Sequence, residues 1–311
     1  MLPSMTRDNS FDICKASLIF LVILGHFFQG HINDVGTNNE VVNWSEYIIY
    51  SFHMPAFMFI SGWFSCGKKY KLIPYFKSTV LYLCIPLIVW DLIINMYDYV
   101  FCKSFNGINS ILTSLWYIKS LIIIRIITFP FLRKPTVLNC FLLLLFGLIL
   151  GQYYLLSLLV PSYVLGYISK KINLLKNRYM TFIIPAYAFE LILIHPSLAI
   201  SDLALIRHID GYYLFNYLNR LILGLTGTMV YIVLIRHFIR TCNITILNIG
   251  KATMGIYMIQ AFVVERWISP FVSSNNSCLF FILIANLALF ICYIIAMGVR
   301  RLKYGFLIIG R

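Results

Sequence analysis

Acidic side chains are scarce in this sequence: 11 Asp and Glu stand against 25 Lys and Arg in 311 residues. Charged residues make up only 12% of the chain while 60% is hydrophobic, which excludes an ordinary water-soluble domain. The eight cysteines include no Cys-x-x-Cys pair and no metal-ligand spacing. Most of them lie in or beside apolar runs, where Cys behaves as a small hydrophobe, so no redox or metal role is expected. There is no low-complexity linker, no sustained heptad and no duplication of one half by the other of the kind many transporters show. The first apolar run lacks a small-residue cleavage site, and it reads as a retained helix rather than a leader.

What the chain does have is repeated apolar runs of about twenty residues, the length that crosses a bilayer as a helix. They fall at 11–30, 46–65, 74–97, 111–129, 136–152, 154–169, 180–197, 213–237, 249–267 and 278–299. The expected fold is all-α: one polytopic integral-membrane domain over 1–311 with about ten transmembrane helices. With the N-terminus inside, the inner segments collect most of the basic residues, among them Lys68, Lys69, Lys71, Lys77, Lys170, Lys171, Lys251, Arg300, Arg301 and Lys303. The first outer loop carries Asp34, Glu40 and Glu46 and no base. That asymmetry puts both termini in the cytoplasm. The net charge of +14 is therefore topological and lipid-directed, with membrane lipids and no nucleic acid as partners.

Ionisable groups inside apolar runs are the candidates for chemistry, because a charge at the helix centre costs ~2.5–3.5 kcal/mol on insertion scales. In the stretch RDNSFDICKASLIFLVILGHFFQG, Arg7 to Gly30, the apolar run from residue 11 carries Asp12, Lys15 and His26. Lys15 and His26 share nearly one helix face, about 16 Å apart along the axis, and Asp12 lies within side-chain reach of Lys15. A cation near the inner surface suits a phosphate-bearing cytoplasmic donor, and a deeper imidazole suits a general base acting on a hydroxyl. The bland alternatives are a snorkelling Lys15 and a His26 satisfied between helices.

The second stretch, SFHMPAFMFISGWF from Ser51 to Phe64, places His53 two residues before Pro55. Pro55 cannot donate a backbone hydrogen bond and frees a carbonyl, which His53 is placed to cap. Gly62 permits close helix approach.

The Arg7, Asp12, Lys15 and His26 pattern (R-x4-D-x2-K-x10-H), followed by FHMPAFMFISGWF, resembles the bacterial acyltransferase family 3. Leu115-Trp116-Tyr117 is similar to the family's LWF element, and Ile249 to Gln260 to its GKxSLxxYLLH element. The resemblance implies acyl-CoA, usually acetyl-CoA, as a donor substrate, no permanently bound cofactor, and a surface-glycan hydroxyl as acceptor. It implies donor handling by Lys15 and acyl transfer by His26. The expected roles are His26 as general base or as carrier of the acyl group itself, Asp12 holding Lys15 in place, and His53 and Trp116 shaping the site. Gln260 stands where many members have His. The family's Arg-x-x-Arg pair before the third-span Pro falls on Thr79 and Tyr82, leaving Lys77 as the base expected at the donor.

Glu190, in FELILIHP, is a carboxyl in a strongly apolar setting and a candidate for proton or substrate handling, unless a base from a neighbouring span pairs with it. His195 follows five residues later, about 140° round a helix. Glu265-Arg266-Trp267 reads as an interfacial anchor or the lip of the acceptor entrance.

The expected protein is thus an O-acyltransferase of the bacterial inner membrane acting on O-antigen, capsule or exopolysaccharide. Its partners are acyl-CoA and a glycan or lipid-linked glycan. No periplasmic hydrolase-like domain is read after the last span, so transfer finishes in this chain or passes to a partner. A transporter or flippase of lipid-linked glycan is the competing class, with His and Glu as proton relays, and a non-catalytic scaffold the third.

Overall fold

The computed structural model describes residues 9–35, 40–67, 71–101, 115–133, 136–149, 156–176, 182–193, 211–238, 243–269, 272 and 277–310. The described residues are almost wholly helical and contain no strand. The helices are α1 (Ser10–Val35), α2 (Glu40–Ser65), α3 (Leu72–Phe101), α4 (Trp116–Arg133) and α5 (Val137–Ile149). They continue as α6 (Leu156–Lys171), α7 (Ile183–Leu193), α8 (Gly211–Phe238), α9 (Ile244–Ile268), α10 (Cys278–Arg300) and a terminal turn α11 (Phe306–Ile309). Each apolar run read from the sequence overlaps one of the first ten, although parts of the runs at 111–129, 136–152, 154–169 and 180–197 lie outside the described residues. Five of these helices (α1, α3, α8, α9 and α10) are long and apolar enough to cross a membrane. The Gly151–Tyr153 connection, His195 and Arg7 lie outside the described residues.

α1 is the hub. It packs against α2, α8, α9 and α10, and Phe11, Cys14, Leu18, Ile19 and Ile23 are wholly buried. Outer helices turn apolar side chains away from the bundle instead: α3 exposes Ile88, Leu92, Met96 and Val100, one per turn. A continuous apolar stripe of that kind is a lipid-facing surface, since water-soluble proteins do not tolerate it.

Glycine sets the two crossings that matter most. Gly62 of α2 lies against the Tyr163 carbonyl of α6, and Gly166 of α6 lies reciprocally against the Phe59 carbonyl. A Cβ at either would overlap backbone, so these helices meet at glycine contact distance. Gly250 of α9 lies in the same way on the Asp12 carbonyl of α1. That contact carries Lys251 to the side of Lys15.

Two helices change gauge partway. α3 passes through a π-turn at Val80–Cys84 just before Pro86, and α9 ends in one at Val263–Ile268. Such turns re-aim the side chains beyond them and recur at functional sites.

Candidate active site

A cavity of ≈ 650 Å³ opens between α1, α2, α3, α4 and α9. Its basic end is lined by Lys15, Lys71, Arg125 and Lys251, and Ser61, Tyr117 and Tyr257 also line it. Lys15 is fixed by the buried Asp12, with Nζ 2.7 Å from Oδ1. The pair expected from the i, i+3 spacing is therefore formed, and the carboxylate points the ammonium at the cavity.

Arg125 is held more rigidly. Its Nε donates to Thr79 Oγ1 at 2.9 Å, its Nη2 donates to Ser78 Oγ at 3.0 Å, and the guanidinium lies 4.7 Å from the Tyr75 ring centroid. Thr79 is one of the two positions on which the resemblance places an Arg pair. The basic group that α3 lacks there is supplied across the interface by α4. Lys77, the base expected at the donor, is exposed and does not line the cavity; Lys71, one and a half turns earlier, does.

The aromatic part of the cavity is stacked in depth. Tyr117 packs on Phe57 at 5.9 Å and on Tyr257 at 5.7 Å between ring centroids. Trp116 is half-buried, edge-on to Tyr117 at 6.2 Å, and is not itself in the lining. It opens α4 directly after Leu115, whose φ of 50° is unusual for a bulky residue. The site-facing ring of the Leu-Trp-Tyr element is thus the tyrosine.

His26 lies three turns beyond Lys15, outside that lining, and faces Glu265 with Nδ1 3.9 Å from Oε1. The α9 π-turn makes this possible by splitting Glu265-Arg266-Trp267 three ways. Glu265 turns to His26, Arg266 turns to Asp98, and Trp267 stays exposed. Tyr257 lines the cavity and precedes Glu265 on the same helix, α9.

His53 is buried, and its Nδ1 lies 2.7 Å from the Ile49 carbonyl. A carbonyl only accepts, so Nδ1 carries the proton and Nε2 is left with its lone pair. The carbonyl freed by Pro55 is that of Ser51, which packs against Gly224 of α8, so His53 does not cap it. His53 stands edge-on to Tyr50 at 4.9 Å. The Tyr50 hydroxyl donates to Gln29 Oε1 at 2.9 Å.

Glu190 is not among the residues lining the cation cavity. It accepts a 2.7 Å hydrogen bond from the Thr226 hydroxyl of α8, next to the Ser51–Tyr187 hydroxyl pair. Gln260 is buried, with Oε1 unpartnered among the described residues. No group of His, Cys, Asp and Glu suited to a metal occurs among the described residues.

Similarity to known proteins extends well beyond these side chains. The model for the acyltransferase domain of the family matches residues 8–297, nearly the whole chain. The chain belongs to acyltransferase family 3. Among curated relatives it is similar to the nodulation protein NolL of Sinorhizobium fredii, 33% identical over 106 residues, covering 33% of this chain and 29% of that protein. It is also similar to NolL of Mesorhizobium japonicum, 38% identical over 86 residues, covering 27% and 23% respectively. The matched region thus spans less than a third of either relative. No solved structure matches the chain.

Sequence reading found the family's α1 pair but missed Arg125, Lys71 and Lys251 as cavity cations and Glu265 as the partner of His26. A signal existed for Lys251, in the Gly-Lys of the ninth span. For Arg125 it was only a base inside an apolar run.

Proposed function

We propose that this family member is an integral-membrane O-acyltransferase, most simply an O-acetyltransferase. It moves an acyl group from cytoplasmic acyl-CoA to a hydroxyl of a cell-surface glycan such as O-antigen, capsule or exopolysaccharide. In this reading about ten helices cross the bacterial cytoplasmic membrane and both termini are cytoplasmic. The observation that carries it is that one helix bears both ends of the site. Lys15 stands in a cation-lined cavity, and His26 faces a carboxylate about 16 Å further along α1.

The chemistry rests on the groups present. Lys15, Lys71, Arg125 and Lys251 hold donor phosphates, since ammonium and guanidinium groups form charge-assisted bonds to phosphate oxygens. Asp12 holds Lys15 in place. The thioester arm runs inward past Tyr117 and Tyr257 towards His26. Glu265 accepts from Nδ1–H of His26, which leaves Nε2 to take the proton of the acceptor hydroxyl. The two atoms stand 3.9 Å apart, and in this reading they draw together as the substrate binds, as catalytic hydrogen bonds do.

As the hydroxyl oxygen attacks the thioester carbonyl, the new C–O bond forms. The tetrahedral oxyanion then collapses and the C–S bond breaks. The departing CoA thiolate takes the proton from His26, restoring the free imidazole. Glu190, bonded to Thr226 and outside the cavity lining, takes no step.

The experiment is mass spectrometry of surface glycan from a deletion strain complemented with wild-type or His26→Ala protein at equal expression. Acylated units present with wild type and absent with the variant support the reading. Unchanged acylation with the variant removes His26 from catalysis, and glycan that only fails to reach the surface on deletion points to transport.

A further inference from the structure

The cavity does not end at Lys15 and Lys251. A second one of ≈ 580 Å³ shares both residues and adds Arg300, Lys303, Phe306 and Gly310 to its lining. Its far wall is the segment after α10, which is anchored to the bundle rather than trailing from it. Ile309 is buried against Gly255, the Ile308 carbonyl accepts a 2.8 Å hydrogen bond from Trp90 Nε1, and Phe306 meets the Tyr82 ring at 5.9 Å. Gly310, at φ 70°, closes onto the Tyr82 carbonyl, where a side chain would not fit. Arg300 is tied in as well, donating from Nη2 to the Lys251 carbonyl at 2.8 Å.

The charge of this vestibule is one-sided. Among the described residues no carboxylate pairs with Lys251, Arg300 or Lys303, and Asp12 at the junction is already engaged by Lys15. Cations gathered around a concave space, without counter-charges, suit a phosphorylated ligand. Two joined cavities imply a ligand with two anionic centres and a long neutral arm.

The geometry points to a clamp for the ribose 3′-phosphate of the donor, formed by Arg300 and Lys303 on the C-terminal turn. The inference rests on the acyl-CoA reading above and deepens it. The pyrophosphate sits at the Lys15–Lys251 junction, the pantetheine arm enters the deeper cavity, and the adenosine end stays in the vestibule. The enzyme therefore selects CoA thioesters over donors that lack the 3′-phosphate. The same cations fit the phosphate of an anionic lipid headgroup, so the test must separate these sources.

The measurement is binding of CoA and of 3′-dephospho-CoA to the full-length protein in nanodiscs, in phosphatidylcholine alone and with added phosphatidylglycerol. Lys303→Ala is the variant, because Lys303 is exposed and makes no structural hydrogen bond among those described. Wild type is expected to bind CoA about tenfold more tightly than the dephospho form, the scale of one charge-assisted contact. Lys303→Ala is expected to lose that preference while binding dephospho-CoA as wild type does.

Equal binding of the two ligands by wild type overturns the clamp and leaves the donor reading intact. Binding of neither overturns both. A variant that weakens both ligands alike, or one that loses phosphatidylglycerol association with its CoA preference unchanged, assigns the vestibule to general electrostatics or to lipid and overturns the clamp.

Discussion

Arg266 and Asp98 are joined by two parallel hydrogen bonds, Nε to Oδ1 at 2.8 Å and Nη2 to Oδ2 at 2.9 Å. The same guanidinium donates from Nη1 to the Ala261 carbonyl at 3.0 Å, so it fastens α3 to the π-turn of α9. Arg266 is the neighbour of Glu265, and its Nη1 also lies 3.5 Å from Glu265 Oε2. Asp98→Asn removes the charge from a bidentate pair that is matched to Arg alone. Transfer rate is expected to fall about tenfold with donor KM unchanged. Steady-state kinetics on membranes check this, and an unchanged rate would show that the turn is held without the pair.

Glu265→Gln keeps the shape and deletes the charge that faces His26. General acid–base catalysis contributes about 10²–10⁴-fold, and a loss in kcat towards the lower end of that span is expected. Glycan acylation per cell, normalised to protein level, reads it out. His26→Ala should fall further, and the double variant no further than His26→Ala alone, because the carboxylate acts through the imidazole.

Arg125→Lys tests whether the guanidinium is a shaped donor or only a charge. Lysine cannot reproduce two fixed hydrogen bonds to Ser78 and Thr79 while lying over Tyr75. Donor KM is expected to rise about tenfold with kcat within about twofold of wild type. A Lys77→Ala variant should leave KM where it was, since Lys77 is exposed and away from the cavity lining.

Gly62→Ala should damage the bundle itself. The added Cβ overlaps the Tyr163 carbonyl, a backbone atom that cannot swing aside. Overpacking of this type costs typically ~1–3 kcal/mol, which a drop in the unfolding temperature of detergent-purified protein would register. Gly298→Ala is the control. A Cβ there meets nothing within 4 Å, so it should be neutral or gain about 0.5–1 kcal/mol from helix propensity.

The helical, membrane-type character and the shared face of Lys15 and His26 were legible because both rest on local rules. Twenty apolar residues need a helix in lipid, and a regular helix returns to the same face every eleven residues or so. Asp12 beside Lys15 follows from the same periodicity. These are properties of one segment at a time.

The tertiary structure alone decided which segments share a site. Arg125 fills a place that α3 leaves without a base, and the turn carrying Lys303 returns to a cavity begun by Lys15, across nearly the full chain. No period in the sequence encodes either meeting. Glu265 shows the reason most directly. A π-turn inserts an extra residue and rotates the residues beyond it by about 100°, so the face of Glu265 cannot be counted from Lys251 with a period of 3.6. Arg266, packed on Asp98 and with its Nη1 3.5 Å from Glu265 Oε2, borders that carboxylate where it faces His26.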